Sequence, residues 1–257
     1  MNTDSLNQKV TTRAVLSLLL FLFASYSAEA QKITRQATVR EENQKTKGPS
    51  WQPLFVQKQD TIHWKSAQNK SFPNDGWLIK NDEFLLLSGR KGGDLITKKK
   101  YTGFELEFEF KMTELVNSGI KYFVNEMRNL ENGKTELIGF EYQIIDDFNQ
   151  DKIAGFDDAK GSTGALYLLC APKKDKHLNP PGEWNSAKIK VRRGKTTHWL
   201  NGQKIVHVNI GNSDFQKLIQ QTKFRNYPGY GHKTNGHLLI QDHGSQIHYR
   251  NIRIREL

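Results

Sequence analysis

Ten short runs of alternating or continuous apolar residues follow one another after Trp51, and they limit this chain more than any other feature does. They are Phe84–Leu87, Phe104–Lys111, Ile120–Val124, Phe140–Ile145, Ala165–Cys170, Ala187–Val191, Thr196–Leu200, Lys204–Val208, His237–Gln241 and Ile247–Ile254. Gly, Pro and Asn clusters separate them, and no recurring helical period lies between. That pattern specifies an all-β antiparallel sandwich or barrel. Only Asp214–Thr222 reads as a helix, with Asp214 as its N-cap. Asn201-Gly202 is a two-residue hairpin signal and makes Thr196–Val208 a hairpin, with His198 and His207 as strand residues rather than metal ligands.

The first fifty residues have a different texture. Lys9 and Arg13 precede the apolar run Ala14–Ala24, and Ala28-Glu29-Ala30 supplies a small-residue cleavage site. This is the layout of a secretory signal peptide over residues 1–30, cut after Ala30. The run is shorter than the roughly 20 residues a membrane-spanning helix needs, so a periplasmic or secreted protein without a transmembrane anchor is expected. Residues 31–50 are polar and end in Gly-Pro, which reads as a flexible linker, and residues 51–257 remain for the domain.

The single cysteine, Cys170, lies in an apolar run, so no intramolecular disulfide is possible and a buried thiol is expected. The net charge of +11 is spread along the chain rather than massed. It suits solubility or attraction to acidic glycans, not nucleic acid.

One strand carries chemistry on a single side. In GFEYQIIDD, Phe140, Tyr142 and Ile144 share one face, while Glu141 and Gln143 share the other. In FELEFEFK, Glu105, Glu107 and Glu109 alternate with Phe104, Leu106, Phe108 and Phe110, and their expected place is an exposed outer face. HLLIQDHG puts Leu239, Gln241 and His243 on one face, with Asp242 pointing away. No G-x-S-x-G elbow is present, which excludes a common serine hydrolase. No Gly-rich phosphate loop is present either. The E-x-D-x-E strand of sandwich-fold glucanases is also missing, because Gln143 stands at the second carboxylate position.

WQPLF with Trp64 downstream, GFELEFEFK, Asn117-Ser118-Gly119-Ile120, GFEYQIIDD, GALYLL, GEWNSAKI, HWLNGQKIV and LLIQDHGSQIHYRNIRIREL together resemble the 3-keto-disaccharide hydrolase domain family, over about residues 51–257. The resemblance is to its Bacteroides-type branch, in which Lys121 and Tyr122 follow the Asn-Ser-Gly-Ile segment and His198 precedes Trp-Leu-Asn-Gly. It implies a concanavalin A-like jelly-roll sandwich of two antiparallel sheets with one short helix. It also implies export and hydrolysis of sugars oxidised at C3, with a separate sugar 3-dehydrogenase supplying the oxidised oligosaccharide or glycoside. The rival reading is a carbohydrate-binding module that uses the same face without turnover.

A ketone at C3 acidifies the C2 proton, so cleavage needs a base near C2, a donor for the C3 enolate and an acid for the departing oxygen. Glu141 or His243 is the expected base. Gln143, Lys121, Tyr167, Asn117 and Gln241 are expected to bind substrate, and Trp184 to offer a ring to the sugar or to lie in the core. Several blander roles stay open. Glu141 could pair with Lys121 for structural reasons, His243 could cap a turn, and Asn117–Gly119 could be a turn in which Gly119 serves its backbone angles. A divalent cation, calcium or another, could sit at Asp146-Asp147 or among Glu141, His243 and an aspartate.

Overall fold

The computed structural model describes residues 31, 32, 34, 35 and 49–257, apart from 74, 91 and 154–158. The expected signal peptide and most of the expected linker lie outside these residues.

The alternating runs form strands β1 (Gln52–Phe55), β2 (Trp64–Ser66), β3 (Trp77–Lys80), β4 (Glu83–Leu86), β5 (Leu95–Thr97), β6 (Phe104–Met112) and β7 (Asn117–Arg128). They continue as β8 (Thr135–Ile145), β9 (Trp184–Arg192), β10 (Lys195–Leu200), β11 (Gln203–Asn209), β12 (His237–Ile240) and β13 (Ile247–Glu256). One sheet has eight strands in the order β11-β10-β9-β6-β13-β4-β3, with β1 also pairing β13, and the other has five in the order β2-β5-β12-β7-β8. Every pairing is antiparallel.

The core lies between the sheets, because each contributes one apolar face. From β6 come Phe104, Leu106, Phe108 and Phe110, all at most 1% exposed, and from β8 come Phe140, Tyr142 and Ile144. Phe108 meets Tyr142 edge to face at 5.5 Å. Each such ring removed from water contributes on the order of 1.5–3 kcal/mol. The outward carboxylates of β6 stand between basic strands: Glu105 bonds Arg255 and Lys190, Glu107 bonds Arg253, and Glu109 bonds Arg250. This cross-strand charge ladder is the use to which the three glutamates are put.

Asn201 and Gly202 have φ of 47° and 80°, the double left-handed turn the hairpin requires. His198 is fully buried: its Nδ1 donates to the Gly164 carbonyl at 2.9 Å, and its Nε2 lies 3.2 Å from the Tyr122 hydroxyl. Burial lowers its pKa to about 4, so the ring is neutral.

Four local readings change. Ala165–Cys170 is a tight turn, with Leu168 at φ 61°, although Leu166 makes an isolated bridge to Tyr142. Asn117–Gly119 opens β7 rather than forming a turn. The helix, α1 (Ser213–Gln220), is capped by Asn212, whose side chain accepts the Phe215 N–H at 2.9 Å. Burial of Phe215 and Ile219 sets that register, and Asp214 falls inside the first turn. Short 3-10 segments at Lys58–His63, Asp147–Lys152 and Lys223–Asn226 carry too few residues to show a period.

Candidate active site on the five-stranded sheet

The outer face of the five-stranded sheet gathers the chemistry where β8, β7 and the continuation of β12 run side by side. Lys121 stands opposite Glu141, and Gly119 opposite Gln143. Beyond β12 the ladder continues, since the Gln241 N–H donates to the Gly119 carbonyl at 3.0 Å. Gly119 is therefore the floor between Glu141 on one side and Gln241 on the other. A Cβ there would lie 2.7 Å from Glu141 Oε1 and 3.1 Å from the Tyr142 carbonyl oxygen. Close approach, not a turn angle, is what makes this residue glycine.

The carboxylate crosses that gap. The donors and acceptors around Gln241 assign its amide orientation: with the NH2 turned to the carboxylate it donates to Glu141 Oε1 at 3.1 Å, and the oxygen then accepts from Lys121 Nζ at 3.2 Å and His243 Nε2 at 2.8 Å. Lys121 Nζ is 4.0 Å from Glu141 Oε2. Gln143 donates to Asn117 Oδ1 at 3.1 Å. The Tyr167 N–H donates to the Glu141 carbonyl at 3.1 Å, which brings the 164–167 turn against the edge of β8.

All these side chains line one cavity of about 300 Å³. The structure thus brings together Glu141, His243, Gln143, Lys121, Tyr167, Asn117 and Gln241. Glu141 is 6% exposed, and burial raises its pKa against the opposing pull of Lys121 and Lys223. Burial, then Lys121, lowers the pKa of His243, while Asp94 and Asp242 act the other way. A neutral His243 that donates from Nε2 keeps its lone pair on Nδ1. A buried carboxylate of raised basicity beside a neutral imidazole is an arrangement suited to moving protons.

Trp184 is a correction. It opens β9 in the eight-stranded sheet, where its ring packs 3.8 Å from the Arg250 guanidinium and 4.7 Å from Lys111 Nζ. It therefore braces the charged face of the other sheet and does not reach the cavity. The Asp146-Asp147 pair is a second correction. Asp146 accepts N–H groups from Leu115 and Phe148 and the side-chain amide of Asn149, while Asp147 accepts the Thr163 N–H and pairs with Lys176 at 2.6 Å. These carboxylates fasten loops. Among the described residues no cluster of three or more His, Cys, Asp or Glu is arranged to hold a metal, Glu141 and His243 included.

Four charged or aromatic lining residues escape the sequence reading: Glu136, Lys223, Phe224 and Tyr227. Three come from KFRNYPGYG, where Phe224 stacks on Tyr230 at 4.2 Å and Tyr230 meets Phe140 at 5.2 Å. The available signal was an aromatic and Gly-rich loop between the helix and β12.

Residues 50–255 match the 3-keto-alpha-glucoside-1,2-lyase-like domain family. The chain belongs to this family. A 3-keto-disaccharide hydrolase of Bacteroides thetaiotaomicron is 30% identical over 184 residues, which cover 65% of this chain and 62% of that protein. The match therefore spans less than two thirds of that relative. A crystal structure from Parabacteroides distasonis, provisionally assigned as a glycosyl hydrolase, is similar at 29% identity and a TM-score of 0.67, over 80% of this chain and 94% of that one. A Bacillus subtilis protein of unknown function with a galectin-like fold shares the architecture alone, at 12% identity and a TM-score of 0.50 over 82% of this chain and 96% of its own. The two-sheet jelly roll and membership of this family are thus shown together. No helix among the described residues is long and apolar enough to cross a membrane.

Proposed function

We propose that this chain is an exported hydrolase of 3-keto-glycosides that cleaves by elimination followed by hydration. The observation that carries this reading is a buried Glu141 held by Gln241 beside a neutral His243, in a cavity where the described residues present no glycosidase carboxylate pair. The other carboxylate among the described lining residues, Glu136, lies five residues back along β8 and bonds the Tyr227 hydroxyl. Five residues of strand set the two Cα atoms about 16 Å apart, so the two side chains leave β8 from well-separated points, whereas paired glycosidase carboxyls converge to roughly 5–9.5 Å.

Elimination needs no such pair. Glu141 takes the proton from C2, next to the ketone, and the electron pair forms the C1–C2 double bond as the C1–O bond breaks. Lys121 and Gln143 stabilise the C3 oxygen as charge gathers there, and the departing oxygen takes a proton, for which Tyr167 is the nearby hydroxyl. Water then adds at C1 with His243 Nδ1 as its base, and a proton returns to C2. The sum is hydrolysis: glycoside and water give the free keto-sugar and the released alcohol. The reading includes export by the leader at residues 1–30 and supply of substrate by a separate sugar 3-dehydrogenase.

The test compares a nitrophenyl 3-keto-glucoside with its unoxidised parent, using residues 31–257 and the Glu141→Gln variant. Cleavage of the oxidised substrate alone is expected, falling by a factor of about 10² to 10⁴ in Glu141→Gln while binding persists. Binding of both sugars without turnover would instead make the face a carbohydrate-binding module.

A further inference from the structure

The segment after β12, Gln241–Gly244, supplies two of the site's polar side chains, and a reciprocal pair of aspartates holds it from behind. Asp94 Oδ1 accepts the Asp242 N–H at 2.8 Å, and Asp242 Oδ2 accepts the Gly93 N–H at 2.7 Å. Asp242 Oδ1 also accepts the Gly244 N–H at 2.8 Å, so this side chain closes its own turn. The Gly93 carbonyl is fixed by Trp77 Nε1 at 2.8 Å. Asp94 directly precedes β5, the strand paired with β12, so the clasp joins two neighbouring strands of the sheet that bears the site.

A purely mechanical clasp has no need of two carboxylates. An amide oxygen at position 94 would accept the same N–H, without the mutual repulsion of Asp94 and Asp242 and without the desolvation that raises the pKa of Asp94. What favours the charge is the cationic side of the site: Lys121 and His243 both interact attractively with Asp94. Among the described residues Asp94 makes no ion pair within 4.0 Å, so its charge is not committed to a single cation.

We propose that Asp94 is a positioning residue for this site. It fixes the Gln241–Gly244 segment through the Asp242 backbone, and its carboxylate balances Lys121 beside His243. The inference rests on the proposed use of His243 in proton transfer. The charged groups acting on that imidazole are Lys121 and Lys223, which disfavour its protonation, and Asp94 and Asp242, which favour it.

Two variants separate the roles. Asp94→Asn keeps an acceptor for the Asp242 N–H and removes the charge, while Asp94→Ala removes both. The first readout is the NMR titration of the His243 ring in the full chain, assigned by its loss in His243→Gln. It needs no turnover, so it stands even if the 3-keto-glycoside reading fails. In Asp94→Asn, His243 is expected to titrate at lower pH than in the wild type, with an unchanged melting temperature. The second readout is release of nitrophenol from the 3-keto-glucoside. An about tenfold loss of kcat at constant KM is expected in Asp94→Asn, and a further loss in Asp94→Ala. An unmoved His243 titration in Asp94→Asn, or wild-type kcat in both variants, overturns the proposal.

Discussion

Replacing Gly119 by Ala tests whether the site depends on two strands approaching without a side chain between them. The added methyl would sit 2.7 Å from Glu141 Oε1, 3.1 Å from Glu141 Cγ and 3.1 Å from the Tyr142 carbonyl oxygen. The carboxylate can swing away only by giving up the 3.1 Å bond from Gln241, and the Tyr142 carbonyl is backbone and can yield only with the strand. Overpacking of this kind costs about 1–3 kcal/mol, and the stiffer unfolded chain returns about 0.4–1 kcal/mol. The net loss of roughly 0–2.6 kcal/mol corresponds to a fall of at most about 10 °C in a domain of this size. Activity should suffer far more, because a reactive group displaced by about 1 Å costs on the order of 10² in rate. The assay is kcat/KM on the nitrophenyl 3-keto-glucoside with melting in parallel. Gly236→Ala serves as a control away from the cavity, since its Cβ would meet the Phe123 backbone at 2.3 Å. Gly119→Ala should lose about a hundredfold in rate with modest destabilisation, and Gly236→Ala should lose stability first. Full activity in Gly119→Ala would refute the claim that Glu141 works from across this glycine.

Trp184→Ala should leave kcat and KM unchanged while lowering stability by about 1–3 kcal/mol, as a denaturation midpoint will show, because the ring packs on Arg250, Lys111 and His248 of the eight-stranded sheet. His198 should make the fold acid-sensitive. Its pKa of about 4 lies below the ordinary 6.5, so the unfolded chain binds the extra proton between those values. The stability this ring contributes is complete above pH 6.5 and is lost as pH falls toward 4, by about 3 kcal/mol. Urea unfolding across that range should be flatter in His198→Gln. The raised pKa of Glu141 places the acid limb of the rate profile above the usual carboxylate range: activity should fall as pH drops and the base takes up a proton.

The strands were legible because one face of each is apolar. The alternation of β6 and β8 sorts Phe108 and Tyr142 inward and Glu107 and Glu141 outward with no further information. Glu141, Gln143, Gln241 and His243 could be grouped for the same reason, since strand parity fixes the face. Parity does not say which sheet a strand joins. Trp184 was misplaced for that reason, because β9 pairs β6 and β10 rather than any strand of the five-stranded sheet. Lys223, Phe224 and Tyr227 reach the cavity from a 3-10 segment whose position depends on Phe224 stacking on Tyr230, a contact with no local periodic trace. Asp94 was invisible because its role is a bond to the backbone of Asp242, 148 residues away.

Proton abstraction at C2 is tested most directly by running the reaction in D2O and examining the released keto-sugar at early times, with recovered substrate and an enzyme-free incubation as controls. Elimination and hydration place one solvent deuterium at C2 of the product within the turnover that breaks the C1–O bond, and Glu141→Gln should suppress label and cleavage together. A product that keeps its original C2 hydrogen through turnover would mean direct displacement at C1, and would contradict the assignment of Glu141 as the base.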